Sequence, residues 1–202
     1  MLLKKKVTPC CSGPDCCDDS AKLVPQSASQ SPDPIEKKSV RPIHIDFLYL
    51  DLEVCTRCQG TDDTLDQAVA EVSGILQSAG VDVVINKVNV NTEELANRYQ
   101  FVSSPTIRID GRDIAVEVKE NQCDSCGDLC GDSVDCRIWT WQGVDYTQPP
   151  KAMIIDAILK AVYGSPALAE TEEKAPYVLP DNLKKFYEAM QQKEIPATPC
   201  CS

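Results

Sequence analysis

Ile43-His44-Ile45-Asp46-Phe47-Leu48-Tyr49-Leu50-Asp51-Leu52 runs directly into Glu53-Val54-Cys55-Thr56-Arg57-Cys58. The first ten residues are apolar and partly β-favouring, the composition of a buried strand. From Thr61 the period changes: Leu65, Ala68, Val69, Val72, Ile75 and Leu76 recur at three- and four-residue spacing until Gly80, which predicts a helix. A dithiol between such a strand and such a helix stands at the helix N terminus, where the positive end of the dipole favours a thiolate. Arg57 is expected to add to that effect, and Asp51 and Glu53 to oppose it. Cys55 then reads as an attacking nucleophile with Cys58 as its resolving thiol, or as half of a metal-binding pair.

Downstream, Val81 to Val90 predicts a second strand, and Asn91-Thr92-Glu93-Glu94 opens a short capped helix that ends near Phe101. Ser103-Ser104-Pro105-Thr106 begins a strand with proline at its first position, where no ladder donor is needed. A turn at Asp110-Gly111 leads to an expected strand from Ile114 to Val118. Arg137 to Tyr146 predicts a strand or hairpin arm in which Trp139 and Trp141 serve packing. Lys151 to Tyr163 predicts an amphipathic helix with Met153, Ile154, Ala157, Ile158 and Ala161 on one face. A Pro/Ala/Glu linker follows from 164 to about 178. Asp181 to Gln192 then predicts a short helix with Leu183, Phe186, Tyr187 and Met190 along one side, suited to docking on the domain or on a partner.

This order of elements resembles the thioredoxin fold over residues 43 to 163. The resemblance implies an α/β domain, a mixed sheet flanked by helices, with the dithiol facing a cis-proline loop at Ser104-Pro105. It implies Cys55, Cys58 and Pro105 as a catalytic set for thiol–disulfide exchange, with Thr56-Arg57 standing where thioredoxins carry Gly-Pro. With its Cys-rich insert the chain is similar to an uncharacterised thioredoxin-like bacterial family. The expected organisation is a flexible Cys-Cys arm over 1–40, a thioredoxin-like domain over 41–163 with the insert at 121–136, and a linker, helix and Cys-Cys tail over 164–202.

Composition narrows the function classes. A chain of 202 residues with 43% hydrophobic content supports one core with appendages. A formal charge of -11 with no basic stripe excludes nucleic acid as a partner. No apolar run reaches the roughly 18 residues needed to span a bilayer. The basic start at Lys4-Lys5-Lys6 leads into Thr8-Pro9 rather than an apolar signal core, so a reducing cytoplasmic location is expected. His44 is the single histidine, which excludes a Cys-His hydrolase.

The 12 cysteines fall in clusters, which in a reducing compartment read as ligand or redox sites. Thr8-Pro9-Cys10-Cys11-Ser12 recurs as Thr198-Pro199-Cys200-Cys201-Ser202, and Cys16-Cys17 adds a third adjacent pair. A disulfide between neighbours closes a strained ring, whereas two adjacent thiolates can chelate one soft ion. Cys10-Cys11-Ser12 with Cys16 resembles the Cys-Cys-x4-Cys segment of ArsD-type arsenic metallochaperones, which implies an arsenite-like ligand and a protein recipient or thiol donor. Cys123-x2-Cys126-x3-Cys130-x5-Cys136 is compact enough to surround one tetrahedral ion, either a structural zinc or a metalloid or redox centre. The expected function is thiol-based binding and transfer of soft metal or metalloid ions. A thiol–disulfide oxidoreductase using Cys55 and Cys58, and a zinc-stabilised structural module, are the alternatives.

Overall fold

The computed structural model describes residues 41–131, 133–164 and 176–194, the side chains of 129, 130 and 194 excepted. The arms that carry Cys10, Cys11, Cys16, Cys17, Cys200 and Cys201 lie outside the described residues. Among these residues the strands are β1 (Arg41–Tyr49), β2 (Val81–Asn89), β3 (Thr106–Ile109), β4 (Arg112–Asp113), β5 (Lys119–Gln122), β6 (Asp135–Trp141) and β7 (Val144–Tyr146). The helices are α1 (Thr56–Ser78), α2 (Glu93–Tyr99), α3 (Asp124–Cys130), α4 (Lys151–Tyr163) and α5 (Asp181–Glu194). The result is a mixed α/β fold with a four-stranded sheet in the order β2-β1-β3-β4 and a three-stranded sheet in the order β5-β6-β7.

β1 is the axis of the first sheet. It runs parallel to β2 from Arg41↔Val81 to Tyr49↔Asn89, and antiparallel to β3 from Ile45↔Ile109 to Leu48↔Thr106. Because side chains alternate along a strand, β1 supplies two cores. Ile43, Ile45 and Phe47 pack with Leu65, Ala68, Val72 and Leu76 of α1 and with Met153, Ile154 and Ile158 of α4. Leu48, together with Leu50 just past the strand end, joins Phe101, Leu183, Phe186, Tyr187 and five cysteines in the second core. Each large apolar side chain so buried contributes about 1.5–3 kcal/mol.

Local signals set the element ends. α1 starts at Thr56, five residues before the apolar period begins, because Cys55 occupies the N-cap and its sulfur accepts from Cys58 N–H at 3.4 Å. The preceding loop is pinned as well: Asp51 accepts from Cys55 N–H at 3.2 Å, and Gln59 donates to the carbonyls of Leu52 and Glu53 at 2.9 and 3.0 Å. Gly80, with φ 76°, ends α1 in the left-handed region. Its carbonyl then accepts from Arg41 N–H at 3.0 Å, which sets β2 beside β1. Thr92 caps α2 by accepting from Leu95 N–H at 3.3 Å. Gln142 and Gly143 take φ 51° and 79°, the paired positive angles of a tight hairpin between β6 and β7.

One expectation needs correction. Residues 114–118 are not a strand: β4 ends at Asp113, whose carboxylate accepts from Ala115 N–H at 3.0 Å and turns the chain. Val116 is fully exposed, so the β-favouring composition there lacks the partner strand that would use it. The Cys-rich segment folds as α3, held between the paired strands β5 and β6.

The two sheets meet at a buried joint. Ser104 is fully buried, and its peptide bond to Pro105 is cis. Its carbonyl accepts from Arg137 N–H of β6 at 2.7 Å, while its hydroxyl accepts from Leu50 N–H at 3.1 Å. Arg137, with no exposed surface, pairs with Asp113 at 2.9 Å and lies over the Trp139 ring at 5.3 Å. Asp113→Ala leaves that guanidinium buried without its counter-charge, which is expected to destabilise the protein by about 3–5 kcal/mol. Adding Arg137→Met to the same chain should restore most of the loss. Urea unfolding of the three proteins checks this, and a single variant within about 0.5 kcal/mol of wild type contradicts it.

Candidate metal centre

Four thiols converge in the second core. Cys55 comes from the N-cap of α1, Cys123 from the N-cap of α3, Cys126 from the first turn of α3, and Cys136 from β6. Their sulfurs all lie within 4.8 Å of one another, with Cys126 and Cys136 at 3.3 Å. A tetrahedral zinc site with bonds near 2.3 Å places its sulfurs about 3.8 Å apart. The four thiols are therefore already near that spacing, and only small side-chain shifts separate them from it. None is more than 2% exposed, and none forms a disulfide. Four buried cysteines this close could hold a metal ion such as zinc.

Hydrogen bonding among the sulfurs sets their acidity. Hydrogen bonding with the neighbouring cysteines, Cys123 foremost and then Cys126, Cys136 and Cys58, holds the Cys55 thiol far below the usual range despite burial. Bonds to the neighbouring Cys126 and Cys136 lower Cys123 to about 7. Cys126 and Cys136 are pushed up, foremost by their bonds to Cys123, so they keep their protons. The quartet thus places negative charge first on Cys55 and next on Cys123, with Cys126 and Cys136 as their protonated neighbours. A bound cation replaces those shared protons, since metal ligation deprotonates a thiol outright.

The expectation that Arg57 would acidify Cys55 is corrected by where its side chain goes. The guanidinium reaches across to the insert and donates to Asn121 Oδ1, to the Gln122 carbonyl at 2.8 Å and to the Cys136 carbonyl at 3.3 Å. Beside it, Thr56 and Ser125 share a hydrogen bond at 3.1 Å. These contacts fasten the first turn of α1 to β5 and to α3 and β6, which carry the other three sulfurs.

Other expected site residues fall elsewhere. Cys58 is fully buried one turn into α1, outside the quartet, with its sulfur 3.4 Å from the Ser104 hydroxyl. Its bond to Cys55, followed by burial, raises its thiol well above the usual range. Pro105 follows that serine through the cis bond. Cys130 is the last residue of α3, and its side chain is outside the described residues. Sequence spacing offered no signal that Cys55 would meet the insert, because long stretches of chain separate them.

Loss of the Arg57 clamp should loosen the fourth ligand from the other three. Arg57→Ala is expected to weaken zinc affinity by about 10–100-fold, as for other residues that orient metal ligands. Competition against a chelator of known affinity measures this, and an unchanged affinity contradicts the positioning role.

No curated protein and no solved structure matches the chain. One family, described as a domain of unknown function (DUF2703), matches residues 43–158. The match runs from β1 into α4 and includes all four clustered cysteines, while α5 lies beyond it. Covering more than half of the sequence, it establishes that this chain belongs to the DUF2703 family.

Proposed function

We propose that this protein binds a soft metal or metalloid ion through Cys55, Cys123, Cys126 and Cys136 and passes it on by thiolate exchange. The observation that carries the reading is the convergence of Cys55 with three thiols of the insert, all four sulfurs within 4.8 Å and buried. The donor set is chemically selective. Thiolates are soft, so the site favours zinc, copper(I) and thiophilic metalloids over magnesium or calcium. A divalent zinc takes all four sulfurs in a tetrahedron. Arsenite takes three in a pyramid, and the fourth thiol then stays protonated.

The scaffold is read as thioredoxin-like. Its support is the succession β1, α1, β2, α2, β3 and α4, with Cys55 and Cys58 at the start of α1 and a cis bond at Ser104-Pro105. On that reading the sulfur that would attack a disulfide has been recruited as a metal ligand. A thiol–disulfide oxidoreductase is the second reading. It is favoured by the Cys58 N–H donating to Cys55 sulfur within one helical turn. An ion on Cys55 would block the attack, so the two activities exclude each other at any moment.

Transfer requires thiolates that can approach one at a time. The pairs Cys10-Cys11, Cys16-Cys17 and Cys200-Cys201 are proposed to capture the ion and exchange it with the centre, with a protein thiol as donor or recipient. Such exchange needs no redox step, since each incoming thiolate displaces one sulfur and the leaving sulfur regains a proton.

Native mass spectrometry of the reduced full chain separates the two readings. Wild type and Cys58→Ser should each retain one tightly held zinc after treatment with a chelator. Cys55→Ser should lose it, with an affinity lower by at least about 100-fold. Equal retention by Cys55→Ser, or loss in Cys58→Ser alone, contradicts the proposal.

A further inference from the structure

α5 lies outside the residues matched by the family, yet it packs into the core that holds the thiols. Leu183, Phe186 and Tyr187 are at most 2% exposed and share one buried cluster with Cys55, Cys58, Cys123, Cys126 and Cys136. Polar contacts from Asn182 and Tyr187 fix its seat. The Asn182 amide accepts from Asp135 N–H at 2.9 Å and donates to the Asp135 carbonyl at 2.8 Å, one residue before the ligand Cys136. The Tyr187 hydroxyl donates to the Val90 carbonyl at 2.9 Å.

Thiolate exchange needs an open face, and among the described residues, with α5 seated, none of the four cysteines is more than 2% exposed. α1 and α4 cannot supply it cheaply, because their inner faces form the other core with β1. α5 is different: it is the last described element, its attachment is one apolar stripe and a few hydrogen bonds, and its other face carries Lys185 and Glu188 in solvent. Elements of this kind open locally at a fraction of the free energy of global unfolding.

We propose that α5 is the gate of the thiolate centre, a helix whose docking through Asn182 and Tyr187 closes the site and sets how fast a soft metal ion enters and leaves. The proposal rests on the reading of the four cysteines as a metal centre. Asn182 and Tyr187 act as positioning residues, since neither offers a ligand to the ion. The gate controls rate, so weakening it accelerates exchange in both directions without removing a ligand.

The test uses the full reduced chain with Asn182→Ala and Tyr187→Phe, beside Ile158→Val, which weakens the core on the far side of β1. In the metal-free proteins, peptide mapping follows alkylation of Cys55, Cys123, Cys126 and Cys136 by iodoacetamide. In the zinc-loaded proteins, a chromogenic chelator reads the release rate. Both rates should rise about tenfold in the α5 variants, the effect of losing one or two hydrogen bonds on a local opening equilibrium, and zinc stoichiometry should stay as in wild type. Unchanged rates in both α5 variants overturn the gate. An equal acceleration in Ile158→Val also overturns it, because exposure would then come from global unfolding. Faster alkylation in a protein whose wild type holds no zinc on these four cysteines overturns the metal reading and leaves α5 as a cover over buried thiols.

Discussion

The junction between the first turn of α1 and the Cys-rich insert is the constraint on which the other features converge. Arg57 donates to three oxygens of the insert, and Thr56 meets Ser125. Without that junction Cys55 would be the exposed tip of a helix and Cys123, Cys126 and Cys136 an incomplete set. With it, four sulfurs lie buried within 4.8 Å of one another. Buried thiols pack well as small apolar groups, so the cluster can exist without an ion, but their mutual hydrogen bonding already polarises one sulfur at the expense of its neighbours.

The α/β scaffold makes the junction rigid. β1 is buried along one face, through Ile43, Ile45 and Phe47, and on the other at its end, through Leu48, and the chain leaves it through a loop tied down by Asp51 and Gln59 before entering α1. Ser104 then links Leu50, Cys58 and Arg137, so the end of β1, the dithiol turn and the strand carrying Cys136 share one buried hydroxyl and carbonyl. A charge pair between Arg137 and Asp113 locks the second sheet to the first on the side away from the sulfurs. Four thiolates around a divalent ion would carry excess negative charge, which the α1 N terminus and the Cys58 N–H donated to Cys55 would partly offset.

Much of the fold was legible because it rests on local pattern. The strand before the dithiol, the caps at Thr92 and Gly80 and the apolar face of α4 follow from periodicity and turn chemistry. The misreadings have physical reasons. α1 begins before its apolar period because a thiol cap and loop hydrogen bonds hold a first turn that contributes little to the core. Residues 114–118 have strand composition but no neighbouring strand. Three of the four clustered cysteines were legible too: the spacing of Cys123, Cys126, Cys130 and Cys136 predicts a shared ion, and all of these but Cys130, whose side chain is outside the described residues, belong to the cluster. That Cys55 completes the set depends on a tertiary contact through Arg57, and the docking of α5 depends on Asn182 and Tyr187 finding backbone groups far away in sequence. Neither contact has a local signature.

The central claim is that Cys55 and three insert cysteines are the ligands of one ion. X-ray absorption at the zinc edge, on the loaded full chain and on Cys55→Ser, tests it most directly. The account predicts four sulfurs near 2.3 Å in the wild type and, in the variant, three sulfurs with an oxygen or nitrogen in the fourth position. A four-sulfur shell that survives loss of Cys55 would contradict it, because the ion would then sit on cysteines other than this quartet.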